Sequence, residues 1–190
     1  MDVFPTIRKM KTSLEISFPK GILVLILIGL FTSCNNDMLI TKKGKSEYHI
    51  ILPNKAVVSE LKAASLIQRY VLSSTGVKLP IMRDREPLTD FEICIGKTNR
   101  LDSEAEQSST PIESNGYRLL STTDKIFIYG STPKGTLNGA TSFLEQYLGA
   151  RVFSSSVNMV PEHRKFSVPE SIDKVYNPPV KFRTTHYRDT

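Results

Sequence analysis

The stretch GSTPKGTLNGATSFLEQYLGARVF, residues 130 to 153, most narrowly limits what this chain can become. Thr132 carries a hydroxyl suited to the free N–H groups at a helix start, and Pro133 has the fixed φ that suits the first helical position. Leu137, Ala140, Phe143, Leu144, Tyr147 and Leu148 recur at spacings of one, three and four, which predicts one apolar face. Gly149 predicts the stop. The residues just before, KIFIYGS, read as a strand, and Arg151-Val152-Phe153 reads as a return to extended chain. A helix with one buried face between two strands needs a sheet to cover, so a layered α/β arrangement is expected.

The glycines at 130, 135 and 139 raise a second question, because they follow a strand and open a helix. Gly130 and Gly135 have the spacing of a phosphate-binding loop, but Thr136 stands where that loop needs its lysine. The Gly-x-Gly-x-x-Gly spacing of a dinucleotide site is absent. Close packing of helix on sheet accounts for Gly135 and Gly139; the alternative is an anion at the helix N-terminus.

The remaining elements fit the same class. Residues 47 to 53, EYHIILP, read as a strand, followed by a helix from a cap at Asn54 to about Thr75. Its face is predicted at Val57, Leu61, Ala64, Ile67 and Val71, and Gly76 occupies the C-terminal cap position. VKLPIM at 77 to 82 is placed at a sheet edge by Pro80. FEICIGK at 91 to 97 reads as a strand, with Phe91, Ile93 and Ile95 alternating against the small or polar Glu92, Cys94 and Gly96. Residues 98 to 114 form a polar loop, with a short helix expected at 103 to 107. GYRLLST and KIFIYGS form a hairpin across Thr122-Thr123-Asp124, and a short strand is expected at Lys165 to Val168. Phe127 is expected in the core, with Ile126, Ile128 and Gly130 on the opposite face, so both faces of the sheet are at least partly covered. The fold class is α/β (α+β), a mixed β-sheet with two main helices bridging parallel neighbours.

The N-terminal end has a different character. Ile22 to Phe31 is a run of ten apolar or glycine residues, about half of a membrane span. With Arg8, Lys9, Lys11 and Lys20 upstream it reads as a signal peptide, and Met10 is an alternative start. Leu30-Phe31-Thr32-Ser33-Cys34 resembles the bacterial lipobox, which implies cleavage after residue 33, lipidation of Cys34 and a lipid-anchored protein of the bacterial cell envelope, on the outer membrane. Residues 34 to 46 then read as a polar linker, 47 to 175 as the domain, and Asn177-Pro178-Pro179 as its boundary.

Charge and ligating residues narrow the chemistry. The formal charge of +6 falls to +4 without residues 1 to 33, and the only basic run is Lys42-Lys43-Gly44-Lys45, so no nucleic-acid partner is expected. His49, His163 and His186 are too scattered for a metal site, and no cofactor is implied. Cys94, alone once Cys34 is acylated, reads as a small buried hydrophobe. No pair of carboxylates has a catalytic motif around it.

The block from Gly130 to Phe153, with the earlier TGVKLPI, Ile-Gly-Lys and Gly-Tyr-Arg-Leu segments, resembles the N-terminal accessory domain of bacterial α-glucuronidases, family-20 hexosaminidases and related surface glycosidases. The resemblance covers about residues 47 to 170. It implies a non-catalytic domain followed by a (β/α)8 barrel of roughly 250 residues that carries the catalytic acids and meets the polysaccharide or oligosaccharide. Residues 176 to 190 would then be a linker and the approach to the first barrel strand. Phe182-Arg183 matches an aromatic-arginine pair that binds sugar hydroxyls in the hexosaminidase branch, which makes Arg183 the candidate sugar-binding residue, although Thr184 replaces the glycine expected next. On this reading the chain is not catalytic by itself while its parent is a glycoside hydrolase. The alternative is a stand-alone surface lipoprotein that binds glycan or a partner protein through exposed aromatics drawn from Tyr117, Phe127, Tyr129, Phe153 and Tyr187.

Overall fold

A computed structural model describes residues 37–101, 110–152 and 158–179. All of them fall in the unit Asn36–Thr190. The strands are β1 (Asp37–Lys42), β2 (His49–Leu52), β3 (Ile81–Arg83), β4 (Glu92–Ile95), β5 (Tyr117–Ser121), β6 (Lys125–Gly130), β7 (Arg151–Val152), β8 (Asn158–Met159), β9 (Lys165–Pro169) and β10 (Asp173–Tyr176). Among the described residues two helices accompany them, α1 (Val58–Thr75) and α2 (Pro133–Phe143), the second continued by a π-helical turn at Leu144–Leu148. The main sheet has the order β10-β5-β6-β4-β2-β3, parallel from β6 to β3 and antiparallel at β5 and β10. This is the mixed α/β sheet with two helices that the sequence predicts.

Alternation along the strands sorts side chains to the two faces. Ile50, Leu52, Ile93, Ile95, Ile126 and Ile128 meet α1 and α2 in one core. Ile51, Cys94, Phe127 and Tyr129 form a smaller cluster on the other face. Phe127 is buried as expected.

Helix α1 starts later than the sequence suggests. Asn54 lies in a turn, and the cap is Val57, whose N–H donates to Glu60 Oε2 at 2.9 Å. The apolar face is correspondingly rotated. Ala63, Ala64, Ile67, Tyr70 and Val71 are buried, whereas Val57 and Leu61 are exposed. Small residues at 63 and 64 let α1 approach its neighbours, and this contact fixes the rotation. Gly76 ends the helix at φ 73°, its N–H on the Leu72 carbonyl at 2.9 Å. β3, just after Pro80, lies at the sheet edge.

Helix α2 begins as predicted, with Thr132 Oγ1 accepting from the Gly135 N–H at 3.1 Å and Pro133 in the first turn. Its end differs, because Leu144–Leu148 widen into a π turn before Gly149, at φ 71°. The wider turn places both Leu144 and Leu148 in the core. The helix does not bridge parallel neighbours as α1 does. The chain leaves it for β7, which pairs with β8 outside the main sheet.

Two corrections concern the ends of the domain. The tract expected to be a polar linker contains β1, which pairs antiparallel with β9 around a register shift between Leu39 and Thr41. Met38 and Ile40 are buried with Phe166 and Val168, and four such side chains favour a packed ribbon over a solvated tether. At the other end, β10 extends the main sheet through Tyr176, past the expected boundary at 175. The expected signal peptide at 1–33, Cys34, the short helix at 103–107, Phe153 and residues 180–190, including Phe182, Arg183, Thr184, His186 and Tyr187, lie outside the described residues. Among those described, no helix is long and apolar enough to cross a membrane.

Candidate functional site

In open α/β sheets ligands gather beyond the carboxyl ends of the parallel strands, so the β4 and β6 ends are where a site is first sought. The glycine loop there is filled by protein. A Cβ on Gly135 would run into the Gly116 carbonyl, and one on Gly130 into the Gly135-Thr136 backbone. A Cβ on Gly139 would lie 3.1 Å from both Ile128 and Tyr117. Gly130 donates its N–H to Thr136 Oγ1 at 3.0 Å, and Ser131 donates to the Gly116 carbonyl at 3.2 Å. The helix start is sealed by the strand lead-in at 115–116, which decides for close packing over an anion. Gly135→Ala is expected to lower stability by about 1–3 kcal/mol, since an inserted methyl meets backbone that cannot rotate away. Urea unfolding midpoints of the two chains measure it.

Beside this loop lies a 350 Å³ cavity lined by Lys97, Pro111, Ile112, Arg118, Tyr129 and Ser131. Arg118, on β5, is buried and grips Asp173 of β10 in a fork, Nε to Oδ1 at 2.8 Å and Nη2 to Oδ2 at 2.9 Å. Its Nη1 donates to the Tyr129 hydroxyl at 3.2 Å. Hydrogen bonds from Arg118 hold the Asp173 carboxyl below the usual carboxylate range. Because Asp173 titrates lower in the folded chain, the pair contributes its full stability above the ordinary carboxylate range. That contribution is lost as pH falls through the lowered value. Asp173→Asn is expected to cost about 1 kcal/mol at pH 7, the low end for an unmet buried donor, because the vacated position is open to water. Unfolding free energies measured from pH 7 to pH 3 should converge for the two chains at the acid end.

The same edge holds the exit of the chain. Tyr176 stacks on Tyr117 with centroids 5.2 Å apart, and the Tyr117 hydroxyl donates to Ser142 Oγ at 2.7 Å. The Asn177 amide accepts from the Glu113 N–H at 2.8 Å and donates to the Pro111 carbonyl at 3.0 Å. These contacts bind β10 and the residue after it to the domain. Sequence patterning missed them, since DKVY carries no strong alternation and nothing in GYRLLST sets Arg118 apart.

A second charged cluster lies on the face opposite the helices. Glu92 is fully buried and accepts from Thr89 N at 3.1 Å, Thr89 Oγ1 at 3.2 Å and Arg100 Nε at 3.3 Å, with Lys125 Nζ at 3.8 Å. Arg100 also donates to the carbonyls of Asp84 and Glu86 at 2.9 and 2.7 Å, tying the β3–β4 connection to the sheet. Burial, then the Glu92 carboxylate, push the neighbouring Cys94 thiol up to about 12, so it stays protonated at neutral pH. That is the behaviour of a core thiol.

Of the aromatics considered for an exposed patch, Tyr117, Phe127 and Tyr129 are all buried. They fill the sheet faces, so the patch is not formed by them. His163 is bound structurally, its N–H on the Ser74 carbonyl at 2.8 Å and Nε2 3.1 Å from the Leu148 carbonyl. Among the described residues no group of His, Cys, Asp and Glu is arranged to hold a metal ion.

No protein-family model matches this sequence, and no curated protein matches it. Among solved structures the chain is similar to the N-acetyl-β-hexosaminidase of Streptomyces plicatus, with a TM-score of 0.49 and 14% identity, covering 77% of this chain and 24% of that one. It is similar to a family-115 4-O-methyl-α-glucuronidase with specificity for decorated arabinogalactans, with a TM-score of 0.48 and 14% identity over 73% of this chain and 18% of that one. For the Flavobacterium johnsoniae chitobiase the TM-score is 0.40 and the identity 18%, again over 73% and 18%. The chain spans about a quarter or less of the length of these hydrolases.

Proposed function

We propose that this chain is the non-catalytic front domain of a glycoside hydrolase of the α-glucuronidase or hexosaminidase kind, held in the bacterial cell envelope by a lipid on Cys34. The observation that carries the reading is the unit from β6 through α2. Of the residues on which the sequence resemblance rests, Gly130, Thr132, Pro133 and Gly135 seat the helix on the sheet, and Phe143, Leu144 and Leu148 fill the core beneath it. A motif made of packing necessities is one that a domain family keeps in its sequence. The role comes from the layout: β10 and Asn177 fasten the end of the domain, so the chain beyond Pro179 leaves from a fixed point. Catalysis, with its acids and its polysaccharide, belongs to a barrel beyond that point.

The test is to read the source locus past codon 190 and assay the product of the extended frame. A frame that continues into a barrel pattern, with release of aryl alcohol from aryl glucuronides or aryl N-acetylglucosaminides, supports the reading. A stop codon directly after Thr190 in the source genome overturns it. For the anchor, labelling of cells with a palmitate analogue should mark the chain and send it to the membrane fraction, and Cys34→Ala should abolish both.

A further inference from the structure

Another cavity lies at the opposite end of the domain, where the β1–β9 ribbon meets the amino ends of the parallel strands. It has a volume of 910 Å³, within the range of small-molecule sites. Its wall includes Tyr48, Phe91, Asp124, Glu170, Lys42 and Lys78. Tyr48 and Phe91 pack as a tilted pair, with centroids 5.3 Å apart. The Tyr48 side chain is the unusual one. It is only 3% exposed overall, and its hydroxyl, which makes no hydrogen bond among the described residues, is the part left open to the cavity. A phenol hydroxyl left open in this way can donate to or accept from a ligand. Burial and the nearby carboxylates of Asp124 and Glu170 push its pKa up to about 12, which keeps the O–H a donor.

We propose that this cavity binds one end of a neutral saccharide, with the Tyr48 hydroxyl, the Asp124 and Glu170 carboxylates and the lysines meeting sugar hydroxyls beside the Tyr48–Phe91 pair. The lining chemistry selects that class. Carboxylates accept from hydroxyls, ammonium groups donate to them, and a wall bearing both signs favours an uncharged ligand with many groups able to do either. The apolar part of the wall suits the C–H face of a pyranose ring. The choice of a sugar over another polyol rests on the glycosidase reading. Binding itself does not require that reading to hold.

Titration of the full chain with chitobiose and with cellobiose, followed by calorimetry and by saturation-transfer NMR, tests the proposal. Binding of at least one disaccharide is expected, weakened about tenfold by Tyr48→Phe, the loss of one hydrogen bond at the upper end of its usual worth. Asp124→Asn, at an exposed turn, should weaken it as well while leaving the thermal midpoint unchanged. No binding up to millimolar sugar overturns the proposal, as does binding that neither substitution moves. A preference for an alkylammonium ion, tested with tetramethylammonium, also overturns it. A source frame that stops at codon 190 would remove the hydrolase reading and leave these outcomes as they are.

Discussion

Phe143→Ala is expected to destabilise the domain by about 3–5 kcal/mol, the cost of truncating a fully buried aromatic in a core that closes only partly around the gap. Phe143 is 0% exposed and sits where three parts of the fold meet. Its ring lies 5.4 Å from Tyr147 on the π turn and 6.1 Å, edge-on, from Phe166 on β9. The loss should therefore be felt by the β1–β9 ribbon as well as by α2. Urea unfolding measures the total, and amide exchange should show β1 and β9 opening more readily than the parallel strands. Phe143→Leu, which fills most of the volume, should recover more than half of the loss. Equal cost for the two substitutions would mean that packing volume at this point is not what holds the ribbon.

Glu92→Ala is expected to cost about 3 kcal/mol, toward the lower end for breaking a buried ion pair. The reason for the lower end is specific. Arg100 keeps the carbonyls of Asp84 and Glu86 when the carboxylate is gone, so its guanidinium is not stranded. Lys125, with its side chain 21% exposed, can turn to water. What is lost outright is the acceptor for both donors of Thr89 and the charge that balances Arg100. Glu92→Gln separates the two contributions, because it keeps an acceptor and removes the charge. Its unfolding free energy should fall between wild type and Glu92→Ala, and a value equal to wild type would show that charge at this site does not matter.

Much of the architecture was legible because local chemistry and burial agree at those positions. Thr132, Pro133, Gly76 and Gly149 mark helix ends through backbone geometry that each residue type satisfies on its own. The β5–β6 hairpin and the edge position of β3 come from short-range spacing and from Pro80. The site was less legible. Arg183 and Cys34, to which resemblance pointed, lie outside the described residues. The Tyr48 cavity was invisible in the sequence, since Tyr48 reads there only as one more strand residue and its wall gathers residues from 37 to 170.

The sequence by itself determined the two helices, the strands of the mixed sheet from β2 to β6, and the burial of Cys94 and Phe127. In each case the deciding interaction is local or arises from period-2 alternation. Only the tertiary structure decided that residues 37–42 form a strand, that α1 buries Ala63 and Tyr70 in place of Val57 and Leu61, and that β10 closes the sheet. Each of these depends on a partner far away in the chain. β1 needs β9 some 130 residues later, α1 is turned by the elements packed against it, and Asp173 is held by Arg118 55 positions before it. Such partners contribute burial and charge pairing that no window of neighbouring residues contains.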